Sequence, residues 1–245
     1  MSDRAGSSEP SNAEPNAPGV DPIVSVTASD VAAAIDHTLL AVVATDADVL
    51  ALCADANRFE VAAVCVSPSR LPIAPGTLND AIAVATVCGF PSGSHRPESK
   101  AAEAARSIEL GATEIDMVLD LGRVKAGSWD AVVEDIATVR ASVPTSLVLK
   151  VIIESAALSD DEIVRCCTSA EAAGADFVKT STGFHPAGGA TIEAVQLMAA
   201  TVDGRLGVKA SGGVRTWESA VAMMNAGATR IGTSSTEAIL GGARA

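Results

Sequence analysis

Three lysines and an aspartate stand inside short apolar, strand-like runs. Lys179 lies in DFVKTSTGF (176–184), Lys209 in LGVKAS (206–211), Lys150 in LVLKVIIE (147–154) and Asp116 in EIDMVLD (114–120). A charged amine is costly to bury, so these stretches either stay in water or use the charge. Lysine is also scarce: Lys100, Lys125, Lys150, Lys179 and Lys209 are the whole set.

Parity along a strand decides where these groups point, because alternate side chains face opposite sides. Ile115, Met117 and Leu119 share one face and Asp116 lies on the other; Leu149, Val151 and Ile153 oppose Lys150 and Glu154; Val178 opposes Lys179 and Val208 opposes Lys209. The unbroken apolar face packs on helices, which turns the charged groups inward together. An internal ion-pair network that only tolerates buried charge is the plain alternative. It is weakened because apolar replacements of such groups often cost no stability.

Lys179 and Lys209 fall on consecutive expected strands, which puts their amines roughly 5–8 Å apart for strands ~4.8 Å from one another. At ~7 Å and an effective dielectric of ~20 their repulsion is about 2.4 kcal/mol. With desolvation, this pulls one amine from its ordinary ~10.4 toward neutrality. One lysine then becomes a Schiff-base nucleophile while the other stays charged. Asp116 is the group that moves protons around them.

The elements that must hold these residues follow from the same periodicities. Expected strands are 34–38, 61–67, 82–89, 114–120, 147–154, 176–182, 206–211 and 229–234, with helices near 46–57, 97–110, 128–142, 159–173, 190–202 and 216–226. Thr45, Ser128, Ser159 and Thr216 stand at helix starts as capping residues. LGATEID (110–116), AGADFVK (173–179) and AGATRIG (226–232) repeat one joint, in which a glycine ends a helix and a strand begins two or three residues later. Eight such units in about 220 residues suit a (β/α)8 TIM barrel, an α/β fold. An open doubly wound sheet is the alternative, since periodicity does not show closure and the first and third units have the least clear helices. Residues 1–26 are polar and Pro/Ser-rich and read as a disordered tail, leaving 27–245 as one barrel domain.

Two further segments, SGGVRT (211–216) and GTSST (232–236), follow the seventh and eighth strands, where barrels commonly bind phosphate through backbone N–H groups. Glycine is also what such loops need for their turns, so each alone is weak.

Composition removes other classes. A net charge of −13 without any basic cluster argues against a nucleic-acid partner. Five cysteines without metal-type spacing, and three histidines, read as buried thiols in a reducing cytoplasm and imply no metal. No run is long and apolar enough for a membrane span. A small molecule is the expected partner.

Together IDHTLL, AAVCVSP, ATVCGFPSG, EIDMVLDLG, LKVIIES, AGADFVKTSTGF, GVKASGGVRT and IGTSS, spread over about 28–240, resemble the deoxyribose-phosphate aldolase family. That resemblance implies a (β/α)8 barrel without cofactor, acting on a phosphosugar, with a homodimer as the candidate assembly. It implies Lys179 as the Schiff-base former, Lys209 as the charged neighbour that lowers its pKa and Asp116 as the proton-transfer carboxylate. Asp36 and Lys150 are implied to bind substrate hydroxyls, and Gly183, Gly212, Gly213, Ser234 and Ser235 to bind phosphate. Some relatives carry a lysine directly after KTSTG, where Phe184 stands, and some end in a tyrosine that assists proton transfer, whereas this sequence has none. The other readings are a Schiff-base barrel aldolase with another donor and a non-catalytic phosphosugar-binding barrel.

Overall fold

The computed structural model describes residues 26–243. The tail expected over 1–26 therefore lies outside the described residues up to residue 25. Val26 is the exception: it is half-buried and packs against the barrel core.

Eight parallel strands close into a barrel in chain order: β1 (Ile35–Leu39), β2 (Ala63–Val66), β3 (Ala83–Cys88), β4 (Glu114–Val118), β5 (Val148–Ile152), β6 (Phe177–Lys179), β7 (Gly207–Ser211) and β8 (Arg230–Thr233). β1 pairs with β8, with Ile35 opposite Ile231, which excludes the open sheet. Around it lie α1 (Ala28–Ala34), α2 (Asp46–Phe59), α3 (Pro97–Glu109), α4 (Leu121–Lys125), α5 (Trp129–Arg140), α6 (Asp160–Ala172), α7 (Ile192–Val202), α8 (Trp217–Asn225) and α9 (Thr236–Gly241). The helices expected near 46–57 and 97–110 stand in the first and third units as α2 and α3, so the unclear helices that left an open sheet possible are in place. It is the second unit that has only a 3₁₀ turn, over Pro68–Arg70. α1, α4 and α9 were not expected, because pieces of five to seven residues are too short to show a helical period.

Local chemistry accounts for the boundaries. Thr45, Ser159 and Thr216 each cap their helix through a capping box. Ser128 precedes α5 but makes no such bond. At the three repeated joints Gly111, Gly174 and Gly227 have φ of 96°, 80° and 110°, a region open to glycine at no steric cost.

The barrel's outward faces carry the main core: Ile115, Met117, Leu149, Val151, Val178 and Val208 pack against the helices, as parity requires. Its interior is divided. Ala63, Cys65, Ala85 and Val87 of β2 and β3 form a small apolar wall, while the remaining strands send in charged side chains. Phe177 shares that interior, and it fits because Gly207 opposite it has no side chain; a Cβ there would lie 2.1 Å from the ring. All five cysteines are buried and free. Burial raises the thiol pKa of Cys166 and Cys167 to about 12. No helix among the described residues is long and apolar enough to cross a membrane.

One buried ion pair outside the barrel ties the end of β4 to two helices. Lys100 of α3 is fully buried and donates to the Val118 carbonyl and to Asp135 of α5, both at 2.8 Å. Lys100→Met strands the Asp135 carboxylate, and urea unfolding is expected to show a loss of about 3–5 kcal/mol. Pairing that change with Asp135→Leu is expected to recover most of the loss.

Candidate active site

The inward residues of β1 and β4 to β8 meet in one cluster. Asp116 lies at its centre: Oδ1 accepts from Lys150 at 2.7 Å, and Oδ2 accepts from Lys179 at 2.8 Å and Lys209 at 2.7 Å. Sharing one oxygen holds the two amines no further apart than those two bonds end to end, near the short limit of the spacing expected. Register explains the meeting, since Lys179 stands directly opposite Lys209 and Asp116 opposite Lys150. Asp36 of β1 takes the far side, paired with Lys209 and with Arg230 of β8. Glu114 closes the lower layer between Lys150 and Arg230.

Lys150, Lys179, Lys209 and Arg230 are cationic by type and Asp36, Glu114 and Asp116 anionic, so a fully ionised cluster carries one positive charge in excess. Loss of a single proton from one lysine removes it. The environment selects which lysine. Burial pushes the Lys179 pKa down and the Lys209 charge pushes the same way, against the pull of Asp116, and the net direction is down. For Lys209 burial also disfavours the charge, but Asp116 and Asp36 together outweigh it and the pKa rises. Lys150 rises likewise, its burial outweighed by Asp116 and further carboxylates. Asp116 is held ionised despite burial, by Lys150, Lys179 and Lys209. The depression of Lys179 that the sequence reading based chiefly on repulsion thus owes most to burial, with Lys209 second.

Above the cluster a cavity of about 340 Å³ opens at the C-terminal ends of the strands. Loops after β1, β6, β7 and β8 line it, and Lys179 is its only lysine. Gly183, Gly212, Gly213, Ser234 and Ser235 all lie on its wall with Arg215, whereas Asp36, Lys150, Lys209 and Asp116 are fully buried beneath and do not line it. The loops after β6 and β7 meet tightly: a Cβ on Gly189 would lie 2.1 Å from the Gly212 carbonyl oxygen, which leaves only glycine there. Phe184 is half-exposed on the cavity wall and sits edge-on to Phe90, with ring centres 5.3 Å apart. Among the described residues no group of His, Cys, Asp and Glu is arranged to hold a metal ion.

Sequence reasoning missed Glu114, Arg230 and the end of β1 with the loop that follows it, residues 38–41. Glu114 shares the parity of Asp116 and Arg230 that of Gly232, so extending the parity count to every strand would have found the first two. The β1 loop gave no signal, being short and apolar.

A deep amine whose pKa is lowered, beside a carboxylate held ionised and facing a cavity edged by glycine and serine loops, can attack an aldehyde and pass protons. The model of the DeoC/LacD family of aldolases matches residues 30–241. This chain belongs to that family. A deoxyribose-phosphate aldolase of Kocuria rhizophila is 58% identical over 217 residues, covering 89% of this chain and 98% of that protein. One of Nocardia farcinica is 59% identical, covering 88% and 96%. Among solved structures, the tetrameric deoxyribose phosphate aldolase of Aeropyrum pernix superposes with a TM-score of 0.79 at 32% identity, covering 88% of this chain and 91% of that one. Membership in this aldolase family gives the cluster a reaction class, carbon–carbon bond cleavage.

Removing the Lys209 charge tests the electrostatics directly. Lys209→Met takes away a repulsion that lowers the Lys179 pKa and frees Asp116 and Asp36 to raise it. The pH midpoint for borohydride trapping of an aldehyde on Lys179 is therefore expected to move up, with trapping slowed at neutral pH and regained in more alkaline buffer.

Proposed function

We propose that this protein is a class I deoxyribose-phosphate aldolase, which reversibly cleaves 2-deoxy-D-ribose 5-phosphate to acetaldehyde and D-glyceraldehyde 3-phosphate. The observation that carries this reading is Lys179, the amine at the cavity floor whose pKa is driven down by burial and by Lys209. The names of relatives at 58% and 59% identity, matched over nearly their full length, supply the substrate.

In the cleavage direction the neutral Lys179 amine adds to the C1 aldehyde of the open-chain sugar, and loss of water gives the iminium. A proton leaves the C3 hydroxyl as the C2–C3 bond breaks, its electron pair flowing to the iminium to form an enamine. The C3 oxygen becomes the aldehyde of glyceraldehyde 3-phosphate. Protonation of the enamine at C2 and addition of water then release acetaldehyde and the amine. Asp116, in contact with the Lys179 nitrogen at 2.8 Å, carries protons to and from it, and Lys209 shares the same carboxylate oxygen. Asp36 and Lys150 hold this pair in place from beneath. Substrate phosphate is held by Gly183, Gly212, Gly213, Ser234 and Ser235, with Arg215 as the cation lining the same wall. Phe184 makes that site lean on backbone N–H groups and hydroxyls.

The protein is further proposed to act in deoxyribonucleoside and carbohydrate breakdown in the cytoplasm, as one domain over 27–245. A homodimer is the assembly put forward.

Acetaldehyde with borohydride is expected to add mass at Lys179 alone, as judged by peptide mapping; modification only at another lysine refutes the mechanism. Lys179→Leu is expected to lower kcat by on the order of 10⁴–10⁶ while the fold persists. Product analysis with dihydroxyacetone phosphate or pyruvate in place of acetaldehyde separates this activity from that of an aldolase using another donor.

A further inference from the structure

Of the five buried acids among the described residues, Asp36, Glu114, Asp116 and Asp135 each face a lysine or arginine. Glu154 does not follow them. Its carboxylate is 1% exposed, and the hydrogen bonds it accepts all come from Thr182: from the backbone N–H at 3.2 Å to each oxygen and from the hydroxyl at 2.6 Å. The Thr182 hydroxyl oxygen in turn accepts from the Phe184 N–H at 3.1 Å.

The backbone is bent to allow this. Glu154 follows β5 in the left-handed region, with φ 54° and ψ 56°, a conformation that residues with a side chain rarely hold without reason. Ladder bonds clamp it on both sides, Ile153 N–H to the Lys179 carbonyl at 2.9 Å and Ser155 N–H to the Thr180 carbonyl at 2.8 Å. Its side chain thus crosses to the segment that leaves β6 three residues after Lys179. Thr182, Gly183 and Phe184 are the part of that segment lining the cavity.

We propose that Glu154 is a positioning residue that latches this wall through Thr182, and so sets affinity for the phosphorylated substrate. The inference rests on the aldolase reading above. Only a carboxylate can accept a backbone N–H and a hydroxyl without presenting a donor of its own; the amide of glutamine turns an NH₂ toward one of them.

The test compares Glu154→Gln, Thr182→Val and Thr182→Ser in the full-length protein. Glu154→Gln and Thr182→Val are expected to raise KM for deoxyribose 5-phosphate roughly tenfold with a much smaller change in kcat, as for loss of a charge-assisted hydrogen bond. Thr182→Ser keeps the hydroxyl and is expected to stay close to the parent. The double variant Glu154→Gln/Thr182→Val is expected to be no worse than the poorer single one. Hydrogen exchange in peptides covering 180–190 is expected to accelerate in Glu154→Gln while peptides of β4 keep their protection. An unchanged KM, additive effects, or exchange that rises equally throughout the barrel overturns the latch. If the parent protein does not cleave the phosphosugar, the aldolase reading has failed, and the exchange comparison decides on the latch alone.

Discussion

The buried charge balance inside the barrel governs the rest of the molecule. Four basic side chains face three carboxylates, all almost fully buried except the partly exposed Arg230, and at such sites an uncompensated charge is penalised far more heavily than at a surface. The cluster can lower its energy by releasing one proton. Lys209, Lys150 and Arg230 each touch two or more carboxylates, whereas Lys179 touches one. The least compensated amine is also the one at the cavity, so the electrostatic economy of the interior and the placement of the nucleophile are a single fact.

The barrel wall supports that arrangement unevenly. β2 and β3 contribute small apolar residues, and the charged groups come from the other six strands. The apolar wall keeps the dielectric low on one side of the cluster, which strengthens every attraction within it. Above, the mouth changes character again, to glycine and hydroxyl residues on the loops after β7 and β8, flanked by Phe184 on one side and the apolar β1 loop on the other. A ligand with an anionic end and a reactive carbonyl end suits a cavity graded in this way.

Much of this was legible in the sequence because strand parity is a rigid rule. Placing Lys150, Lys179, Lys209 and Asp116 on the face opposite Val151, Val178, Val208 and Met117 was enough to gather them, and the Gly-ended joints gave the repeat. Closure was not legible, since the pairing of Ile35 with Ile231 joins residues at opposite ends of the chain and no local pattern reports it. Nor was the depth of each group. Asp36 and Lys150 belong to the same cluster as Lys179 but lie a layer below the cavity, a distinction set by barrel stagger rather than by residue type. Glu154 carried the right parity and no visible purpose, because its partner Thr182 reaches it through a left-handed bend that side-chain patterns do not encode.

Asp36 and Arg230 are joined although 194 positions apart in the chain, and Asp36 and Lys209 although 173 apart. The seam between the first strand and the last therefore completes the salt bridges of Lys209. Lys179 owes its lowered pKa to burial and to that neighbouring charge, and both exist only where the chain is folded. In an extended chain the same amine is solvated, with the ordinary pKa of ~10.4, and protonated at neutral pH, so its nucleophilicity arises with the fold.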